Sequence, residues 1–261
     1  MSFFSADSIR AGYGTKCILH NISFGVEKGH LTGILGANGS GKTTLLKAIC
    51  GILPHSGTCT LDGKQLEALS PRELARHCSY IPQRSGISID ISALDVVLMG
   101  FNPRLGLLEH PNSAMQSAAR EALRQVGLAG MENTNYLHLS EGQKQLCILA
   151  RTLAAGSSLV LLDEPESALD FQFRHRTLET LRGWLSEGER CGIVTLHDPT
   201  LALNFCDELL LLSGGVLTGC IRPGEDPLDK MEAMLETIYG NLSLLRCRNR
   251  SGQARLLMLK E

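Results

Sequence analysis

The sequence lacks an excess of charge of either sign, and this balance limits the partners that it suggests. Its 261 residues include 25 Lys and Arg against 27 Asp and Glu, which gives a formal net charge of -2. Proteins that depend on nucleic acid usually carry a strong basic excess, because they must neutralise a phosphate backbone. We therefore expect no nucleic-acid partner. The 43% hydrophobic content is that of an ordinary globular chain, long enough for one large domain or two small ones.

Long hydrophobic runs are also missing. No apolar stretch approaches the roughly 20 residues that a membrane-spanning helix needs. The first ten residues, MSFFSADSIR, do not have a charged start followed by a long apolar core, so we expect no export signal. These absences predict a protein that stays in the cytosol unless a partner holds it at a membrane.

Paired cysteine motifs are absent, although the chain has nine cysteines. No two are spaced as C-x-x-C, and an odd number cannot pair completely within one chain. This pattern argues against a zinc site or a disulfide framework. It favours reduced, mostly buried thiols.

The order of strand-like and helix-like segments predicts an α/β fold. Residues 5–35 alternate as strands with turns, and residues 56–64 predict a hairpin that turns at Asp62-Gly63. From about Ser70 to Gly130 the pattern is helical. Later segments alternate apolar strands with helices, which is typical of a parallel sheet with covering helices.

The strongest single motif is GANGSGKTT, which fits the phosphate-binding loop G-x-x-x-x-G-K-[ST]. A strand-like HLTGIL precedes it and a helix-like TTLLKAICG follows it. In such a loop the backbone N–H groups face phosphate oxygens. Lys42 would then reach the β- and γ-phosphates, and the Thr43 hydroxyl would bind Mg²⁺. The predicted nucleotide-binding residues of the loop are Gly36, Ala37, Asn38, Gly39, Ser40, Gly41, Lys42, Thr43 and Thr44.

A second motif narrows the function, since the loop alone leaves a kinase, a GTPase and a motor ATPase open. The apolar strand SLVLLDEP ends in Asp163-Glu164. A buried strand delivers its last carboxylate to the edge of the sheet where ligands of α/β folds collect. We predict that Asp163 holds Mg²⁺ and that Glu164 orients and deprotonates an attacking water.

A third motif, LSEGQ at residues 139–143, predicts the start of a helix. Ser140 and Gln143 have the spacing of a capping box, and apolar residues follow at helical spacing. The carboxylate of Glu141 would lie in the first turn, where it suits the helix dipole.

Together these motifs resemble the ATP-binding cassette (ABC) ATPases over nearly all of residues 3–215. LSEGQ looks like the signature of that family, and SALD (167–170) resembles its D-loop. YIPQ, which ends in Gln83, resembles the Q-loop, His197 in TLHD the switch histidine, and Tyr13 the aromatic residue that stacks on adenine. The order of these elements is specific to this family.

The resemblance implies a role for each of these residues. Gln83 would contact the metal and the attacking water, His197 would hydrogen-bond the γ-phosphate, and Asp170 would connect two subunits. Three of the residues that carry the resemblance also have a plainer alternative: Tyr13 could be a strand aromatic, Gln83 a polar loop residue and His197 a core histidine.

The resemblance also implies a homodimer. Members of the family form head-to-tail dimers in which each ATP lies between the phosphate loop of one chain and the signature helix of the other. Ser140, Gly142 and Gln143 would then meet the ATP held by a second copy. We hypothesise that the Glu141 side chain points away from the phosphate, towards solvent or a basic residue of the partner.

The implied domain plan is a P-loop core with a mixed sheet, an antiparallel β subdomain and a helical subdomain at about residues 86–155. Residues 1–240 would form the ATPase domain. Residues 241–261 would extend that same domain, with a hairpin around residues 249–252 after a helix in DPLDKMEAMLETIYG.

Three further stretches resemble importers for iron–siderophores, haem and cobalamin: LSPRELARHCSYIPQ, ISALDVVLMGFNPRLGLLEHP and HDPTLALNFCDELLLLSGG. They imply a peripheral ATPase on the cytoplasmic face of the inner membrane, working with a separate multi-span permease and, indirectly, an extracytoplasmic substrate-binding protein. Residues 90–104 would contact the permease. Three residues depart from the pattern: Phe101, Glu141 and Glu166.

Other members of the superfamily remain alternatives at this point. They include the ATPase of a zinc/manganese or molybdate importer, or of an exporter. A DNA-repair or chromosome ATPase would need a long coiled coil, and no sustained heptads are present. A non-hydrolysing regulatory cassette would be expected to have lost Glu164 or His197.

Overall fold

A six-stranded sheet forms the centre of the computed structural model, which describes residues 2–83, 86–167 and 169–261. Five of its strands run parallel, and the last one at one edge is antiparallel, so the predicted mixed sheet is confirmed. From edge to edge the order is β10 (Val216–Ile221), β9 (Glu208–Ser213), β3 (Leu31–Leu35), β8 (Cys191–Thr195), β7 (Leu159–Asp163) and β6 (Cys78–Ile81).

The three central strands β3, β7 and β8 are buried along their whole length. Strands that are covered on both faces read as continuous apolar runs, which explains the segments LTGIL, LVLLD and CGIVT. Their carboxyl ends lie at one edge of the sheet. That edge therefore receives the segments that follow each of them, including the phosphate loop and Asp163-Glu164.

An antiparallel sheet packs on one face of this centre. Its order is β2 (Lys16–Val26), β1 (Phe4–Tyr13), β4 (His55–Leu61) and β5 (Lys64–Gln65). Asp62 and Gly63 join the last two with φ angles of 48° and 74°, which confirms the predicted hairpin and its turn. Helix α1 (Lys42–Ile49) shares a core with both sheets, so the phosphate loop is anchored from two sides.

Four helices come from the stretch between the antiparallel sheet and β7. They are α2 (Pro71–His77), α3 (Ala93–Leu98), α4 (Ser113–Gln125) and α5 (Glu141–Ala155). Helices α3, α4 and α5 pack against the other face of the central sheet and form a second hydrophobic core with it. Backbone hydrogen bonds from Ala93 and Leu94 to Thr134 and Glu132 close this helical region.

The predicted helical pattern from Ser70 to Gly130 is wrong at one place, since residues 78–81 form strand β6. These four residues pair in parallel with residues 159–162 of β7. A run of four is too short for periodicity to separate helix from strand, and its state is set by a partner about 80 positions away.

The remaining helices cover the sheet and carry the C-terminal region. They are α6 (Phe171–Ser186), α7 (Pro199–Phe205) and α8 (Leu228–Tyr239), and the described residues also form 3₁₀ helices at Leu66–Ala68, Met99–Arg104 and Tyr136–His138. Strands β11 (Leu242–Arg248) and β12 (Ala254–Lys260) form the predicted terminal hairpin. The amide side chain of Asn204 in α7 donates to the carbonyl of Leu256 (2.7 Å) and accepts from its N–H (3.0 Å), which ties the hairpin to α7.

Two simpler predictions concern thiols and membrane helices. All nine cysteines are free and five are buried, consistent with the predicted reduced thiols. Within residues 2–83, 86–167 and 169–261, we find no helix with the length and apolar character needed to cross a membrane.

Candidate active site

The phosphate loop spans residues 36–41, between the end of β3 and the start of α1. Gly41 caps α1 in a left-handed conformation with a φ of 109°, and a Cβ atom there would lie 2.8 Å from Leu19. Gly36 passes so close to the backbone of Leu212 that a side chain would collide with its carbonyl oxygen. The glycines are therefore required by the fold of the loop, as close backbone approach to a ligand demands.

Lys42 lies over this loop rather than in solvent. Its Nζ atom donates to the carbonyl oxygens of Gly36 (2.7 Å) and Ala37 (3.2 Å), and the residue is only 6% exposed. Burial lowers the pKa of the ammonium group, and the nearby carboxylates of Glu164 and Asp163 partly offset that effect. A positive charge is thus held at the mouth of the loop, where an anionic oxygen would meet it.

Asp163 is buried at the end of β7, and all of its described partners are hydroxyl groups. Its Oδ1 accepts from Thr43 (3.1 Å) and Thr195 (2.9 Å), and its Oδ2 accepts from Tyr80 (3.2 Å). Burial and the adjacent Asp163 raise the pKa of Tyr80, which keeps that donor protonated. The Thr43 hydroxyl and the Asp163 carboxylate form the hard oxygen donor set that Mg²⁺ prefers.

Glu164 brings three predicted residues together. Its Oε1 lies 2.7 Å from Nε2 of His197, and its Oε2 accepts from Nε2 of Gln83 at 2.6 Å. The side chain is only 12% exposed, whereas that of His197 is 47% exposed. The carboxylate is therefore fixed from both sides beside the Asp163–Thr43 pair.

The backbone of Glu164 is strained where its side chain lies between Gln83 and His197. Its φ of 51° lies in the left-handed region, which costs a residue other than glycine about 1 kcal/mol or more. The N–H of Glu164 donates to the Thr195 hydroxyl at 2.9 Å, and this hydrogen bond holds the turn. Thr195 thus positions both acidic residues, a role that the sequence analysis missed although Thr195 precedes His197 by only two positions.

The predicted capping box at the start of α5 is confirmed. The Ser140 N–H donates to the Gln143 side chain at 2.9 Å, and the Gln143 N–H donates to the Ser140 hydroxyl at 3.2 Å. Among the described residues, no hydrogen bond or ion pair joins residues 140–143 to the phosphate loop. The signature helix therefore starts at a surface of its own, apart from the loop of the same chain.

The structure gives Glu141 a partner that the hypothesis did not include. Its carboxylate is largely exposed to solvent and pairs with Lys144 of the same helix, with Nζ at 2.8 Å from Oε1. Residues three apart lie on one helix face, so this pair forms without a second chain. Glu141 remains 77% exposed.

Glu141→Gly should change the rate of ATP hydrolysis by less than about threefold, because an exposed ion pair of this kind is worth little. Glu141→Gln is the matched control, since it removes the charge but keeps a good helix-forming residue. Steady-state phosphate release by the purified variants measures the effect. A rise of tenfold or more in both would mean that the carboxylate repels the nucleotide.

Two predicted residues lie further from this centre. Asp170 caps α6 by accepting from the N–H of Phe173 at 3.0 Å, and Ala168 of the predicted D-loop lies outside the described residues. Tyr13 is 49% exposed and lines an open cavity of about 670 Å³ between the end of β1 and residues 53–56. Its ring is therefore accessible to a flat ligand.

Comparisons with known proteins identify the family of the chain. The family model described as ABC transporter matches residues 19–167. The chain is 35% identical to the hemin import ATP-binding protein HmuV of Jannaschia sp., over 90% of this chain and 87% of that protein.

Two solved structures share the fold. A chain of a metal-chelate type ABC transporter in an inward-facing conformation has a TM-score of 0.83 and 23% identity, and it covers 100% of this chain and 99% of its own. An ATP-binding cassette solved as a dimer with ADP and Pi has a TM-score of 0.74 and 23% identity, with coverages of 84% and 98%. The chain therefore belongs to the ABC transporter family, whose ATP-binding cassettes are ATPases coupled to transport.

Proposed function

We propose that the chain hydrolyses ATP to drive uptake of a metal chelate, of the iron–siderophore, haem or cobalamin type, through a separate permease. The observation that carries the hydrolytic part is the carboxylate of Glu164, fixed between Gln83 and His197 beside the Asp163–Thr43 pair. The similarity to a hemin import protein over most of both chains supports the substrate class.

The loop and the end of β7 would bind the triphosphate and its metal. Backbone N–H groups of residues 36–44 and the Lys42 ammonium group would bind phosphate oxygens. Thr43 and Asp163 would hold Mg²⁺, directly or through water, with Gln83 as a further ligand. When bound, Mg²⁺ supplies positive charge that offsets the charge on the phosphates.

Glu164 would act as the general base. An attacking water placed beside its carboxylate would lose a proton to it as the oxygen bonds to the γ-phosphorus, and ADP would leave. His197 would orient Glu164 and donate a hydrogen bond to the γ-phosphate. Gln83 would transmit changes at the site to the helical region, because its side chain hydrogen-bonds Glu164 and its backbone belongs to the chain segment that leads into that region.

A second copy would complete the site. Among the described residues, no hydrogen bond or ion pair joins the signature residues Ser140, Gly142 and Gln143 to the phosphate loop of their own chain. A helix N-terminus favours an anion, so the start of α5 suits the γ-phosphate of a nucleotide held by a partner. Asp170 would lie at the dimer interface, and Tyr13 would stack on adenine. The dimeric cassette of similar fold supports this arrangement.

The helical region is the proposed permease contact, at residues 90–104. The segment directly after it exposes Leu107 and Leu108 almost completely, at 99% and 89%. Two adjacent leucines in solvent are consistent with a surface that another protein covers. The ATPase would lie on the cytoplasmic face of the inner membrane, and the substrate-binding protein would act on the permease from the other side.

Reconstitution in proteoliposomes with a candidate permease tests the proposal. We expect ATP-dependent uptake of a chelated metal, measured with haem and with an iron–siderophore, and no uptake with the Glu164→Gln variant as the matched control. The proposed substrate class is wrong if only a free divalent metal or an oxyanion is taken up.

A further inference from the structure

Glu166 is an acidic residue that the proposed mechanism does not use. It follows Pro165 in the turn after β7 and is only 3% exposed. Its Oε1 atom accepts the backbone N–H of His197 at 2.9 Å. Glu166 therefore links the turn that carries Glu164 to the residue whose ring contacts Glu164.

The second carboxyl oxygen of Glu166 lies in a different environment. Oε2 of Glu166 is buried and has no hydrogen-bond partner within the described parts of the chain. A buried carboxylate with one unsatisfied oxygen is costly, whereas the neutral acid is much less so. Burial accordingly raises the pKa of Glu166, and the Glu164 carboxylate adds to the rise, while the His197 N–H and ring oppose it.

Three titratable groups from three elements face this carboxyl group. They are Glu164 on the same turn, His197 after β8 and the buried thiol of Cys206 at the end of α7. Glu166 contributes to the raised pKa of that thiol, which stays neutral. Ionisation of Glu166 would therefore place a second negative charge close to the Glu164 carboxylate.

Hydrogen bonds join the turn after β7 to the end of β8 and to the residues that follow it, and two of these bonds hold different residues. Thr195 holds the N–H of Glu164, and Glu166 holds the N–H of His197. The contact between the two side chains, 2.7 Å from His197 Nε2 to Glu164 Oε1, depends on both. Loss of the second bond would free the His197 backbone while leaving the strand and the phosphate loop intact.

We propose that Glu166 is a positioning residue whose carboxyl Oε1 holds the His197 backbone N–H, so that the imidazole stays in contact with Glu164. This inference rests on the proposed roles of Glu164 and His197. Glu166 touches neither nucleotide nor water in this scheme and acts through its effects on His197 and Glu164. Its ionisation would weaken hydrolysis, because it adds negative charge beside the proposed base and the γ-phosphate.

The sign of the pH dependence follows from the direction of the pKa shift. Below the raised pKa the carboxyl group is neutral, and the Glu164 carboxylate has no second negative charge beside it. As pH rises through that pKa, the buried group ionises and kcat should fall. Glu166→Gln keeps an acceptor oxygen for the His197 N–H and cannot ionise. The decrease in kcat that is caused by ionisation of Glu166 should therefore be absent in this variant.

Steady-state ATP hydrolysis by the purified full chain between about pH 5 and pH 9 tests the proposal. We expect Glu166→Ala to lower kcat at least about tenfold and to leave the KM for ATP within about twofold, since only alignment is lost. At the low end of this pH range, Glu166→Gln should have a kcat within about twofold of the parent. Its kcat should also fall less than that of the parent as pH rises. Glu208→Gln is the matched control, because Glu208 is a largely buried glutamate paired with Arg222 far from these turns.

Two results would overturn the proposal: an unchanged kcat in Glu166→Ala, or superimposable pH profiles for the parent and Glu166→Gln. If Glu166→Ala does not fold, the pH profile of Glu166→Gln decides alone. Failure of the proposed function is a separate result, because it would show as turnover that survives in Glu164→Gln. An inactive Glu164→Gln with unaffected Glu166 variants would reject only the positioning role.

Discussion

Glu164→Gln should lower kcat for ATP hydrolysis by about 10²- to 10⁴-fold, because an amide cannot take the proton of the attacking water. The substitution keeps the size of the side chain and one acceptor oxygen, so it removes the base with little change of shape. Lys42, Thr43 and Asp163 are unchanged, and ATP should still bind with its Mg²⁺. Since each ATP would lie between the two subunits and is not consumed, the variant should accumulate as an ATP-bound dimer.

Three measurements on one preparation separate these effects: phosphate release, binding of a fluorescent ATP analogue, and sedimentation with and without ATP. Glu189→Gln is the control, because Glu189 is 76% exposed and pairs with Lys28 on the far side of the chain from the sheet edge. Undiminished phosphate release in Glu164→Gln would count against Glu164 as the base. A variant that binds ATP but stays monomeric would contradict the proposed dimer.

The parts of the site that could be predicted from sequence are those that depend on neighbours along the chain. The phosphate loop is a strand, a turn and a helix within about 20 residues, and its glycines and Lys42 have fixed positions in that unit. The capping box of Ser140 and Gln143 spans four residues and is found as predicted. Apolar strands such as β7 can likewise be recognised from a single segment, because a strand that is buried on both faces is a continuous hydrophobic run.

The parts of the site that could not be predicted from sequence depend on which strands lie side by side. Asp163 and Thr195 are 32 positions apart and meet only because β7 and β8 pair in register, which places them opposite each other. The bond from Glu166 to the His197 backbone needs the same pairing. Pattern and spacing within one segment contain no information about such register, so the sequence identified Glu166 as a departure without revealing its partner.

Lys42→Ala should weaken ATP binding by about a hundredfold or more. The Lys42 ammonium group donates to the loop carbonyls of Gly36 and Ala37, and charge-assisted hydrogen bonds to phosphate are stronger than neutral ones. Alanine favours helix at the first position of α1, so the helix itself should persist and the loss should reflect the missing charge.

Lys47→Ala is the matched control for that substitution. It removes a lysine from the last turn of the same helix, away from the loop, and should leave the Kd for ATP unchanged. Equilibrium binding of ATP with Mg²⁺ at two salt concentrations gives a second criterion, because loss of an ionic contact reduces the salt dependence of the Kd. An affinity for ATP that is the same in Lys42→Ala as in the parent would reject the phosphate-loop assignment, and with it the roles of Thr43, Asp163 and Glu164 that are built around that loop.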